Sequence, residues 1–241
     1  MKQFNDIGIG GQLDRNRIRK LFFIGLSGAI LTFAGDWILG YGVCDERLTG
    51  LEKKLMQFSA LSDTALFWSA FLGLIGISLE GLCYFSIYRL IASGSEKHAH
   101  IFRSGVFGYM LFAACGVHVP CLSSVYFYKH MLIENPEAAY KMTIQFGMYF
   151  LLPAMILFLI FLFIMSAAQI SAFAKGLTPY PKWCWIFSLP VGMGAAIMLK
   201  FAGNHAVTNA LTAAWISIGN IWMFGGLLLT MNRVRKGWET Q

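Results

Sequence analysis

The sequence predicts an all-α fold: a bundle of six transmembrane helices forming one integral membrane domain over residues 1–241. Hydrophobic residues make up 57% of the chain and charged ones only 13%, with a mean hydropathy of +0.60. That is more apolar surface than a soluble domain of this size can bury. The apolar residues gather in six runs, at about 21–41, 64–91, 101–128, 143–168, 183–200 and 206–231, each close to the ~20 residues that span a bilayer. Lys and Arg fall mainly between the runs. Summed over alternate segments they number 13 and 6, and the larger set includes both ends, so both termini are expected to be cytoplasmic. The same asymmetry explains the formal charge of +7 without nucleic acid, for which no basic motif with interleaved aromatics is present.

The first run follows Lys2, Arg15, Arg17, Arg19 and Lys20 directly. It resembles a secretory signal in charge, but it is too long for a signal h-region and contains Asp36, so it is read as a retained helix. Residues 42–62 are polar, yet Leu48, Leu51, Leu55, Phe58 and Ser62 share one helical face. They predict an amphipathic connector lying at the membrane surface between the first two spans. Trp68, Trp183 and Trp185 open the second and fifth runs, where an aromatic belt sits. Asn135-Pro136-Glu137 reads as the N-cap, first-turn proline and first-turn acid of the fourth helix. Gly176, Pro179 and Pro181 mark a break before the fifth. Pro120, Pro153 and Pro190 each remove a backbone donor and are expected to bend the third, fourth and fifth helices. Five cysteines, at positions 44, 83, 115, 121 and 184, show no C-x-x-C spacing, and neither a zinc site nor a disulfide framework is expected.

Function is sought in the polar groups inside the apolar runs, because a carboxylate near the bilayer centre costs ~2.5–3.5 kcal/mol on insertion scales. Asp36 lies 15 residues into the first run, hence ~22 Å from its cytoplasmic end. Glu80 lies 12 residues beyond Trp68, near the midplane, and His118 lies 15 residues beyond Arg103, at about the depth of Asp36. In the last run His205, Asn209, Ile216 and Asn220 follow at steps of +4, +7 and +4, which keep one helical face. Depth therefore groups Asp36, His118 and Asn209 in an outer layer, with His205 at its rim and Glu80 with Asn220 beneath. The rows Gly25, Gly28, Thr32, Asp36, Gly40 and Ser69, Gly73, Gly76, Tyr84 turn both carboxylates toward close helix neighbours rather than lipid.

Asp36, Glu80, His118, His205, Asn209 and Asn220 are accordingly the candidate ligand-binding residues of a polar pocket in the outer half of the bundle. The leading expectation is binding or transport of a small molecule or ion. An intramembrane enzyme acting on a lipid-like substrate and a non-catalytic structural or sensory subunit stay open. The enzyme reading finds no H-E-x-x-H, H-x-x-x-H or G-x-S-x-G motif and no assignable catalytic residue. Membrane lipids and a small-molecule or cation ligand are the expected partners; no cofactor, resident metal or nucleic acid is expected. Gly35-Asp36-Trp37 in the first run, with Asn209, Trp215, Ser217 and Gly219-Asn220 in the last, resembles a family of uncharacterised bacterial six-helix membrane proteins of about this length. The resemblance implies a bacterial inner-membrane location and carries no known activity.

Overall fold

The computed structural model describes residues 13–234, and every regular element among them is helical. Lys2, Arg235 and Lys236, counted toward the cytoplasmic charge, lie outside the described residues. Helix α1 (Arg15–Gly40) starts at Asp14, whose carboxylate accepts the Arg17 N–H at 3.1 Å. After the connector helix α2 (Gly50–Ser59), α3 (Asp63–Ala92) is capped by Ser62, whose hydroxyl accepts the Ala65 N–H. A side-chain oxygen at this position satisfies one of the donors that the first helical turn leaves free.

Two long, wide-turned helices follow. α4 (Glu96–Phe112) runs into α5 (Val119–Glu134) through a π-turn at Ala113–His118, and α6 (Pro136–Phe146) into α7 (Leu152–Ala174) through a second at Gly147–Leu151. Pro120 and Pro153 each stand just after such a turn. A proline has no N–H for the carbonyl one turn back, and here the backbone widens instead of breaking. The start of α6 is the one the sequence predicts, with the Asn135 side chain accepting the Ala138 N–H at 3.1 Å. At the end of α7, Gly176 takes φ +72°. The N–H groups of Gly176 and Leu177 close back on Phe173 and Ala172, both at 2.9 Å, the paired closure that a left-handed residue permits.

Among the described residues, four helical stretches are long and apolar enough to cross a membrane: Arg15–Gly40, Asp63–Ala92, Glu96–Glu134 and Pro136–Ala174. The last two expected spans take a different form. In place of a helix over 183–200, Lys182–Ile186 winds as a 3₁₀ turn, and α8 (Leu189–Met198), with a 3₁₀ extension to Ala202, is short. Pro190 sits in the first turn of α8, so it starts that helix and does not bend it. The interruption is held by side chains, the Gln169 amide donating to Phe187 O at 3.2 Å and the Trp222 indole to Ile186 O at 2.7 Å. In place of one straight helix over 206–231, α9 (Ala206–Ala213) and α10 (Trp215–Leu229) meet at 67°. Neither Gly nor Pro stands at the break. Packing explains it: α9 rests Ala210 and Ala213 against Gly40 at the end of α1, while α10 continues along α1 and α8.

The core is centred on the α1–α3 contact, the most extensive between any two elements. A Cβ at Gly28 would sit 2.9 Å from Gly76 O, one at Gly35 2.7 Å from Ser69 O, and one at Gly76 2.3 Å from the Thr32 hydroxyl. The two small-residue rows therefore mesh backbone to backbone, as expected of such faces. α4 packs against α7, and α10 against both α1 and α8. The Arg15 guanidinium donates to Met231 O at 3.2 Å, so the beginning of α1 and the end of α10 share one end of the bundle. α2 lies at the other end against α5, with Leu55 buried, Phe58 half-buried and Leu51 exposed. Only part of its predicted apolar face is therefore covered.

Candidate functional site

Glu80 has no exposed surface, and its hydrogen-bond partners come from three other helices. Thr32 of α1 offers its hydroxyl to Oε1 at 2.8 Å; Tyr109 of α4 donates to Oε2 at 2.5 Å, and the Asn220 amide of α10 to the same oxygen at 2.7 Å. The Asn220 amide also lies 3.3 Å from the Tyr109 hydroxyl, and its Oδ1 accepts from Tyr84 of α3. All of these partners are neutral side chains. A buried carboxyl without a cation is tolerated when its oxygens are filled by donors. Space for the cluster is made by the absent side chain of Gly76, which leaves room for the Thr32 hydroxyl.

One turn along α1, Asp36 receives the Ser217 hydroxyl on Oδ2 at 2.9 Å, and its Oδ1 lies 3.8 Å from Nδ1 of His118. The His118 Nε2 faces Ser69 O at 3.1 Å. A carbonyl only accepts, so Nε2 carries the proton and, in the neutral ring, Nδ1 turns a lone pair to Asp36. The ring fits because Gly73 has no side chain; a Cβ there would come within 1.9 Å of Nε2. His118 closes the π-turn of the third long helix, a local widening often found where a side chain must be re-aimed. Among the described residues, no group of three or more His, Cys, Asp or Glu side chains is placed to hold a metal ion.

The two clusters adjoin. Thr32 and Asp36 are four residues apart on α1, Ser217 and Asn220 three apart on α10. Together they form a polar file at the junction of α1, α3, α4 and α10, fully buried at Glu80 and partly exposed at Asp36, whose side chain keeps 15% of its surface. Asn209 and His205 do not join it. The Asn209 amide donates to Gly42 O and to Asn204 Oδ1, both at 2.8 Å, while Asn204 and Gln57 bond the backbone of Cys44, Gly40 and Gly42. This second set ties the free carbonyls at the end of α1 to α2 and α9. His205 is exposed at the N-cap of α9, where its own N–H donates to the Thr208 hydroxyl at 3.1 Å. The single stripe expected from His205 to Asn220 is cut by the bend at Ala214, so its two halves serve different ends. None of the six candidate residues lines the apolar cavities found elsewhere on the surface.

A model described as a family of unknown function, DUF6796, matches residues 4–234. The chain belongs to that family. No curated protein and no solved structure matches it. In this DUF6796 chain, four residues of the file, Thr32, Tyr84, Tyr109 and Ser217, lie outside the six picked from the sequence. Thr32 and Ser217 are hydroxyls on faces already marked as small or polar. Tyr109 carries the clearest missed signal: it lies nine residues before His118 on the same helix, hence ~14 Å deeper, level with Glu80.

Proposed function

We propose that this DUF6796 protein is an integral membrane protein crossing the bilayer six times, and that the file from Asp36 to Glu80 binds and relays protons from the outer side toward the cytoplasm. The four long apolar helices support the membrane reading. The shared end of α1 and α10 supports an even number of crossings, with both termini cytoplasmic by the charge asymmetry. The fifth crossing is then α8 with its 3₁₀ flanks, and the sixth is the bent pair α9–α10. Non-helical backbone at such depth is tolerated where side chains satisfy it, and Gln169 and Trp222 do so. The location implied by resemblance is a bacterial inner membrane.

A proton is favoured as the ion because Glu80, at the inner end of the file, has no exposed surface. A hydrated cation or an organic solute needs volume, whereas a proton needs only groups that exchange donor and acceptor roles. The observation that carries the reading is that each carboxyl faces a hydroxyl with a second acceptor. Thr32 Oγ1 lies 2.8 Å from Glu80 Oε1 and 3.2 Å from Gly28 O. Ser217 Oγ lies 2.9 Å from both Asp36 Oδ2 and Ala214 O. When the carboxyl is ionised, the hydroxyl donates to it. When the carboxyl is protonated, it donates to the hydroxyl, whose own proton swings to the backbone carbonyl. Either state is satisfied without movement of a heavy atom. A proton taken up from the outer side at His118 Nδ1 passes to Asp36 and leaves the ring neutral, with Nε2 still donating to Ser69 O; closing the 3.8 Å gap between Nδ1 and Asp36 to hydrogen-bond distance takes ~1 Å.

The test is proton flux. The full chain is reconstituted into vesicles that enclose a pH-sensitive dye, and a potassium diffusion potential is imposed. Acidification above that of empty vesicles is expected, abolished in Glu80→Gln and Asp36→Asn while the unfolding midpoint in detergent holds. Flux equal to empty vesicles, or undiminished flux in both variants, overturns the proposal and leaves the carboxyls as packing devices.

A further inference from the structure

Beside α2, away from the proton file, a groove with a cavity volume of about 270 Å³ opens between α2, α5 and the α6–α7 helix. Its walls are apolar, among them Leu55, Val125, Leu151 and Met155, and only Lys54, Ser124 and Thr143 bring polar side chains to it. Thr143 is 4% exposed, and its hydroxyl has no hydrogen-bond partner. A buried hydroxyl without a partner has lost its water and gained nothing in return, so this one calls for an acceptor that occupies the groove. Ser124 is already satisfied by Cys121 O. The Lys54 ammonium donates to Gln57 Oε1 at 3.1 Å and to Cys44 Sγ at 3.4 Å, which leaves it a third proton and its positive charge. Gly147 stands in the groove wall with nothing within 4 Å of where a Cβ would be.

We infer that this groove is a binding site for one anionic phospholipid of the surrounding bilayer: an acyl chain between α5 and α7, an ester carbonyl accepting from Thr143, and the phosphate drawn to Lys54. The order of groups along the groove matches that of the lipid. Lys54 lies on α2 at the end of the bundle, Thr143 seven residues into α6 from Pro136, and Met155 three turns beyond Thr143. At ~1.5 Å per residue the spacing from Thr143 to Met155 is ~18 Å, a length that only an extended chain fills. The site rests on the membrane reading above but not on proton transfer.

The test uses the full chain in phosphatidylcholine nanodiscs containing a trace of phosphatidylglycerol with a photoactivatable acyl chain. Labelling is expected to concentrate on residues 121–125 and 143–155 and to be displaced by unlabelled phosphatidylglycerol in preference to phosphatidylcholine. Gly147→Phe, which fills the groove from a position open to it, is expected to lower that labelling by about tenfold. Gly194→Phe, at another glycine with nothing within 4 Å of its Cβ position, leaves it unchanged. Lys54→Gln removes the headgroup preference, and Thr143→Val weakens labelling about fivefold, as loss of one hydrogen bond does. Labelling spread evenly over the apolar helices, full labelling in Gly147→Phe, or displacement by free fatty acid but not by phospholipid overturns the site. Proton flux plays no part in this readout, so either proposal can fail without the other.

Discussion

Replacing Asn220 by leucine tests the centre of the polar file. The substitution keeps the number and branching of side-chain heavy atoms but removes three contacts: the amide to Glu80 Oε2 at 2.7 Å, its approach to Tyr109 at 3.3 Å, and the acceptor of the Tyr84 hydroxyl. Hydrogen bonds between helices in a bilayer average ~0.6 kcal/mol each, so Asn220→Leu is expected to cost about 2 kcal/mol. Stability alone does not identify the cause, so the substitution is paired with Tyr84→Phe. If Tyr84 donates to Asn220, the bond is lost once in either single variant and cannot be lost again in the double. The double variant is then more stable than the sum of the singles by ~0.6 to 1.7 kcal/mol. Equilibrium unfolding in mixed micelles, followed by tryptophan fluorescence, measures all four proteins. A coupling below ~0.3 kcal/mol, the margin within which independent sites add, would refute the proposed cluster, as would an Asn220→Leu protein as stable as the parent.

Gly73→Ala places a methyl 1.9 Å from His118 Nε2 and is expected to expel the ring and cost ~1–3 kcal/mol by overpacking; nitrogen chemical shifts of a labelled imidazole should show loss of the Nε2-protonated tautomer. Asn135→Ala removes the cap of α6 and should lower stability by ~1 kcal/mol in the same unfolding assay, without altering proton flux. In the α1–α2 connection, hydrogen bonds from the Arg47 guanidinium and N–H hold the Asp45 carboxyl down at about 2. Because the folded value is depressed, the stabilisation is present above the ordinary ~3.9 and is lost as pH falls through about 2. Carboxyl carbon shifts should follow that titration, and Arg47→Ala, which keeps the backbone N–H bond, should raise it part of the way toward the ordinary range.

Local chemistry made much of the fold readable. Asn135-Pro136 announces a helix start, Gly176 a helix end, and the small rows on α1 and α3 a close contact, because each depends on residues within one or two turns. The level of Glu80 and Asn220 was likewise readable, since depth follows from counting along an apolar run. The bend at Ala214 was not. No residue there breaks a helix, and the turn arises because α9 seats on Gly40 while α10 must bring Ser217 to Asp36 and Asn220 to Glu80. Asn209 was assigned to the layer of Asp36 by its depth, yet that bend swings it to the backbone of Gly42. Thr32, Tyr109 and Ser217 look like ordinary helix residues until their neighbours are known. The sequence by itself determined an all-helical chain, the four stretches long and apolar enough for a bilayer, and the shared level of Glu80 and Asn220. Only the tertiary structure decided which groups at a given depth touch, because periodicity orients a side chain about its own helix axis, while helix adjacency is set by packing among segments far apart in the chain.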